Sequence, residues 1–201
     1  DDIFYKSFPE RLREKAPRVW FDKYWRIGFK DQMQAYPVNV DIDTALTRSV
    51  LNDGFDFKVR NRDLDAEGIA KEICYPQSLL AFIRYPDLEI QELMYRTYNE
   101  HMARLGAENR GGFYGDGICS KWWDPNKTET AIRQIVDLGL KSFMLPYSPG
   151  KDVNGNPISY SGPEMDRFWA IAEAAGLPVS FHLGHDPRRG GRGSFGAQWR
   201  K

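Results

Sequence analysis

The sequence is poor in the residues that mark several classes of protein. Only two of its 201 residues are cysteines, Cys74 and Cys119, whereas a secreted disulfide framework normally carries more of them at short spacing. Lysine plus arginine and aspartate plus glutamate number 28 each, so there is no basic excess of the kind that binds nucleic acid or an anionic membrane. We therefore expect reduced core thiols and neither a nucleic-acid nor a membrane partner.

Three further patterns are missing. No apolar run approaches membrane-spanning length and the first residues lack signal-peptide architecture, so the expected compartment is cytoplasmic. No Gly-x-Gly-x-x-Gly motif follows the first predicted strand, so a dinucleotide-binding fold has no support.

Aromatic residues, in contrast, make up 14% of the chain and many lie near the N-terminus. Such a segment needs a surface to pack on, which predicts burial against the rest of the chain or a homo-oligomer.

Residues 1–62 show little sustained periodicity. The stretch 7–12 is typical of a capped helical turn, with Ser7 as N-cap and Glu10 three positions later. The remainder is rich in turn residues, with short extended pieces. A long segment of this kind is often functional, and we predict an aromatic-rich N-terminal insertion or lid.

From residue 63 onward, strands and helices alternate. The helices have apolar residues at helical spacing, with Gly106 as the predicted stop of the second. The predicted helices are 62–68, 87–105, about 126–139 and 163–175. The strands are short apolar runs between turn residues, predicted at 69–76, 113–119, 142–146 and 178–184. Alternation at this spacing favours βαβ units, and we predict a partial (β/α) barrel over 63–201.

The number of strands does not suffice for a closed barrel. A (β/α)₈ TIM-type barrel takes about 250 residues, and the sequence predicts only about four β/α units. The chain is then a piece of a longer one, or another subunit supplies the missing strands, or the fold is a smaller open sheet. We expect a piece of a longer chain.

Candidate chemistry centres on the last predicted strand. It is opened by Pro178 and closed by Gly184, and His182 lies near its carboxyl end. In alternating β/α folds, ligands and catalytic groups gather at that end of the strands. Neutral imidazole is a good ligand for Zn²⁺ and similar ions. The alternative is a hydrogen-bonded structural histidine.

An ordered set of short pieces carries a family resemblance. The pieces keep both order and spacing, and they are residues 65–70, 75–76, 98–100, 113–115, 138–146, 168–173 and 177–184. Together they resemble the amidohydrolase-related family of metal-dependent barrels, which includes aminocarboxymuconate-semialdehyde and γ-resorcylate decarboxylases. Residues 9–19 are similar to the segment that follows the first strand of that family.

The resemblance implies a (β/α)₈ barrel with a divalent metal, Zn or alternatively Mn, and His182 as the ligand on the fifth strand. It also implies a small-molecule substrate. The ligand pair of the family's first strand, the histidine after its sixth and the aspartate after its eighth have no counterparts here. Because a catalytic metal site needs about three protein ligands, no catalytic residue is assigned.

Other residues predicted near the same edge are candidates for substrate contact. His185 and Arg188 lie in the loop after His182, where arginine can hold a carboxylate in bidentate fashion. Tyr75 and Tyr147 lie at or just past strand ends. Each has a structural alternative, a solvated loop for the first two and rim packing for the tyrosines.

Two residues are given structural roles. Asp116 lies between Gly115 and Gly117, which indicates a turn more than an interior position. His101 lies within a predicted helix, where packing or surface exposure is expected.

Two functions remain open. The first is a metal-dependent decarboxylase or hydrolase of a small carboxylated or amide-type substrate, incomplete in this chain and catalytic in its parent protein. The second is a non-catalytic, truncated barrel module that acts through association with other proteins.

Overall fold

Helices and strands alternate along most of the described chain. The computed structural model describes residues 3–21, 25–30, 33–36, 57–76, 79, 85–109, 111–120, 124–146, 149, 151 and 154–182. At 19–21, 25–27, 33–36, 125 and 182 it describes the backbone alone. Within this part of the chain, no helix is both long and apolar enough to cross a membrane.

The N-terminal part contains a small antiparallel sheet. Helix α1 spans Ile3–Ser7 and a 3₁₀ helix spans Glu10–Lys15. The predicted N-cap at Ser7 is wrong, because Ser7 ends α1 and the 3₁₀ helix follows Pro9 without a side-chain cap. The short extended pieces form three strands in the order β1-β2-β3, spanning Arg18–Phe21, Trp25–Gly28 and Met33–Tyr36.

The rest of the described chain is an alternating α/β unit. Its helices are α2 (Phe57–Ala66), α3 (Leu88–Glu108), α4 (Pro125–Asp137) and α5 (Asp166–Ala175), the last preceded by a 3₁₀ turn. Its strands are β4 (Glu72–Cys74), β5 (Phe113–Gly115), β6 (Gly117–Ile118), β7 (Phe143–Pro146) and β8 (Val179–His182). The described pairings between these strands are parallel, β4 with β5 and then β6-β7-β8. The predicted parallel α/β character is confirmed, and the number of β/α units stays a prediction.

Helix boundaries follow local side-chain chemistry. Asp87 caps α3 by accepting hydrogen bonds from the backbone N–H groups of the next turn, and Asp124 caps α4 in the same way. α5 ends where Gly176 adopts the left-handed conformation at φ 65°. The predicted stop at Gly106 is wrong, since α3 continues to Glu108.

The apolar core lies between the helices and one face of the parallel strands. Phe143 of β7 contacts Phe168 of α5 edge-to-face, with ring centroids 6.4 Å apart. On the same side of the sheet, Gly115 lies so close to α3 that an added Cβ would be 2.5 Å from the Cβ of Met102. Glycine is therefore required at 115 by the packing of helix against strand.

Helix α2 has no buried residue, and polar pairs join it to the rest of the α/β unit. Both carboxylate oxygens of Glu72 on β4 accept from Arg60, each at 2.5 Å. The amides of Asn61 and Asn109 also bond each other. Phe57 adds an aromatic contact to the first residue of β5. The helix is thus attached mainly by charge-assisted and amide hydrogen bonds.

Candidate functional site

The parallel strands present two faces, and strand register identifies the residues on each. In β7 and β8, Met144 is paired with Ser180, and Pro146 with His182. Since side chains alternate along a strand and Phe143 faces α5, the even positions of β7 belong to the opposite face, called the inner face below. Ser180, which is paired with Met144, therefore lies on the inner face, and His182 ends the same strand two residues later.

A buried carboxylate lies on the inner face, between β5 and β6. Asp116 has no solvent exposure, and its Oδ1 and Oδ2 accept hydroxyl hydrogen bonds from Ser142 and Ser180, each at 2.5 Å. Burial raises the pKa of Asp116, and the two serine hydrogen bonds partly oppose that rise. The turn predicted at 116 is wrong, because Asp116 lies directly between β5 and β6 with no turn there, and its N–H bonds the last residue of β4.

The edge of the sheet next to Asp116 is closed by helix α3. The Asp116 N–H donates to the carbonyl of Cys74, the last residue of β4, at 2.9 Å. Beyond that point the backbone of 116–118 bonds side chains of α3. The Tyr98 hydroxyl donates to the Asp116 carbonyl at 3.1 Å, and Asn99 bonds both the N–H and the C=O of Ile118, at 2.9 and 3.0 Å.

The Asn99 side chain therefore makes the hydrogen bonds to β6 that a neighbouring strand would otherwise make. One primary amide supplies both an acceptor and a donor, which is what a strand edge needs. Gly117 makes room for it, since a Cβ there would lie 3.4 Å from Asn99 Oδ1 and 3.2 Å from Leu140 Cδ1. Burial raises the pKa of Tyr98, so its hydroxyl remains a donor.

The carboxyl end of β7 is fixed by an aromatic group from the following loop. The Tyr160 hydroxyl donates to the Pro146 carbonyl at 2.5 Å, and Trp169 of α5 donates through Nε1 to the Tyr160 carbonyl at 2.7 Å. The Tyr160 ring also meets Phe181 edge-to-face, with centroids 5.3 Å apart. Since Pro146 is the register partner of His182, this cluster supports the sheet end at which the histidine stands.

The predicted site residues are only partly placed. His182 is the last residue of β8. Tyr75 follows β4 directly and is 46% exposed. Tyr147, His185 and Arg188 lie outside the described residues. His101 lies on α3 with its Nδ1 3.0 Å from Arg104 Nη2, and burial and that arginine lower its pKa, which agrees with the packing role.

The described residues do not form a metal centre by themselves. Within residues 3–182, leaving out the undescribed stretches, no three His, Cys, Asp or Glu side chains converge on a possible cation position. Cys74 and Cys119 are free, as expected, and burial raises the pKa of both thiols, which favours their protonated form. A cleft of about 290 Å³ at the opposite, amino end of the strands is lined mainly by apolar groups such as Met102 and Phe113.

Sequence reasoning missed the polar residues around Asp116. Ser180 interrupts an apolar strand and Ser142 stands at the start of another, and these two polar residues were the available signal. Tyr98 and Asn99 were noticed only as part of a family pattern. Nothing local in the sequence indicates that their side chains complete a strand edge.

Comparison with known proteins assigns the chain to a family. Residues 76–200 match the family model described as Amidohydrolase. The match covers more than half of the chain, so the chain belongs to the amidohydrolase family, as the resemblance implied. No curated protein matches it.

Solved structures of decarboxylases are similar in fold. A 2,6-dihydroxybenzoate decarboxylase from Rhizobium is 23% identical, with a TM-score of 0.52 over 65% of this chain and 41% of that one. A 2,6-dihydroxybenzoate decarboxylase in complex with 2,6-dihydroxybenzoate is 24% identical, with a TM-score of 0.49 over 61% and 38%. A 5-carboxyvanillate decarboxylase from Novosphingobium aromaticivorans, with bound manganese, is 20% identical, with a TM-score of 0.47 over 61% and 33%. The chain thus spans about two fifths of the length of the 2,6-dihydroxybenzoate decarboxylases.

Proposed function

We propose that the chain carries part of the active site of a metal-dependent carboxy-lyase or hydrolase that acts on a small carboxylated or amide-type substrate. Family membership supports the general kind of protein. We rank decarboxylation of an aromatic carboxylate first, because the similar Rhizobium structure is a 2,6-dihydroxybenzoate decarboxylase.

One observation carries the proposal. His182 ends β8 and pairs with Pro146, the last residue of β7, and Ser180 two residues earlier bonds the buried Asp116. That end of a parallel sheet is where binding and catalytic groups gather. We propose His182 as a ligand of a divalent ion, Zn²⁺ or Mn²⁺, both of which accept imidazole.

The remaining ligands are proposed to come from outside the described residues, since those residues hold no ligand cluster. The substrate contacts proposed for this chain are Tyr75, Tyr147, His185 and Arg188. The exposure of Tyr75 directly after β4 supports its part, because a side chain at the mouth must be accessible. Arg188 is suited to a planar carboxylate, which its guanidinium can bind in bidentate geometry.

Three further expectations belong to this proposal. Residues 1–62 are proposed as an insertion or lid, supported by an antiparallel sheet that stands apart in type from the parallel strands. The high aromatic content of the N-terminal segment supports a homo-oligomer. The free thiols support a reducing compartment such as the cytoplasm.

Metal analysis of matched histidine variants tests the proposal. The purified chain, His182→Ala and His101→Ala are loaded with Zn²⁺ or Mn²⁺, desalted and analysed for metal. His101 lies on α3, away from the strand ends, so it is the matched control. We expect His182→Ala to lose the bound metal and His101→Ala to keep it. Equal metal in the wild type and His182→Ala would reject the ligand role, and no metal in the wild type would reject the proposal for this chain.

A further inference from the structure

The carboxylate of Asp116 ties together three strand segments that are distant in sequence. Ser142 and Ser180 are 26 and 64 residues away from it, and each donates to a different carboxylate oxygen. A carboxylate is suited to this task because its two oxygens, held at a fixed separation, can each accept a hydrogen bond from a hydroxyl group. No apolar residue of similar size can make either bond.

β8 needs such an anchor. In the described part of the chain it pairs with one strand only, β7, so one of its edges has no strand neighbour. Ser180 is held on the inner face by Asp116, and the next residue, Phe181, contacts the Tyr160 ring on the other side. The two contacts fix the backbone immediately before position 182 from both faces.

We propose that Asp116 is a positioning residue that sets the place of His182 through Ser180. Ser180 precedes His182 by one strand repeat in β8, so a displacement of Ser180 moves the backbone that carries the histidine. Ser142 bonds the same carboxylate but precedes β7, so its loss leaves the Asp116–Ser180 link in place. The consequence for metal binding rests on the proposed function, whereas the effect on His182 itself does not.

The two serines allow a matched experiment. Ser142→Ala and Ser180→Ala each remove one hydrogen bond of the same length, 2.5 Å, to the same carboxylate. The chain has three histidines, so two-dimensional NMR of metal-free protein with labelled histidine gives three imidazole Cε1–Hε1 cross-peaks, assigned with histidine-to-glutamine variants. His101 on α3 is the internal reference.

We expect both variants to lose similar stability, while only Ser180→Ala shifts or broadens the His182 cross-peak. Ser180→Thr, which keeps the hydroxyl, should restore the wild-type position. Asp116→Asn should move the same peak and provides the test should Ser180→Ala fail to fold. An equal shift in Ser142→Ala and Ser180→Ala, or no shift in Ser180→Ala and Asp116→Asn, would overturn the proposal.

A metal titration then separates this inference from the proposed function. If His182 binds a metal, Ser180→Ala should weaken the affinity about tenfold or more, the usual scale for residues that orient ligands, and Ser142→Ala should have less effect. A wild-type chain that binds no metal, combined with a selective shift of His182 in Ser180→Ala, contradicts the proposed function and leaves the positioning role intact. Unchanged affinity in Ser180→Ala contradicts the positioning role in metal binding.

Discussion

Replacement of Asn99 by leucine tests whether this side chain closes the edge of the sheet. The Asn99 amide bonds both the N–H and the C=O of Ile118, and both residues are almost fully buried. Leucine is close in size and can make neither bond, so two buried backbone groups lose their partners. A buried group left unsatisfied costs about 1–3 kcal/mol, so Asn99→Leu should reduce the free energy of unfolding by about 2–6 kcal/mol.

The matched control is Asn61→Ala. Asn61 also takes part in two amide hydrogen bonds, but its partner Asn109 is only half-buried and can turn to water. Its loss should cost about 0.5–1.5 kcal/mol. Urea unfolding measures both variants, and hydrogen exchange should show faster exchange of the Ile118 amide in Asn99→Leu alone. A loss in Asn99→Leu no larger than that in Asn61→Ala, with an unchanged Ile118 amide, would refute the assignment.

Two other perturbations test the same sheet. Gly115→Ala places a Cβ 2.5 Å from Met102 Cβ and should destabilise by about 1–3 kcal/mol. Gly106→Ala lies inside α3, where its Cβ would be 3.6 Å from the Phe113 carbonyl oxygen, and should stabilise by up to about 1 kcal/mol. Thermal unfolding of both variants checks this, and the reverse order of stability would contradict it. Burial raises the pKa of Asp116, so the protonated side chain contributes more to folding stability than the ionised one. This contribution is fully present below about pH 4, the ordinary aspartate range. It is lost as the pH rises through the raised pKa of the folded protein. The stability of the wild type relative to Asp116→Asn should therefore fall as pH rises from this range toward neutrality, and parallel curves would contradict the shift.

The alternating α/β order was predictable from sequence, whereas the polar contacts on the inner face of the sheet were not. The strands are apolar runs between glycine and proline, and the helices have regular apolar spacing, so each element carries its own signal. Gly115 and Gly117 flank Asp116 and indicate a turn at that residue when only the sequence is considered. They are glycines because Met102, Leu140 and Asn99 approach the strand there, and only the folded packing shows that reason.

The errors at helix ends and in the N-terminal part have similar causes. Gly106 is compatible with a helix stop, yet α3 continues for two more residues, and the Asn109 N–H bonds the Leu105 carbonyl beyond it. The strands β1, β2 and β3 are four residues each, too short for alternation to stand out from a turn-rich background.

The most direct test of the proposed metal site is whether the His182 imidazole binds the metal. Electron spin-echo spectroscopy of Mn²⁺-loaded protein detects nitrogen bound to the ion, and the comparison needs the wild type, His182→Ala and His101→Ala. We expect nitrogen modulation in the wild type and in His101→Ala and its loss in His182→Ala. Modulation of equal depth in His182→Ala would contradict the claim that this strand end is part of a metal-dependent active site.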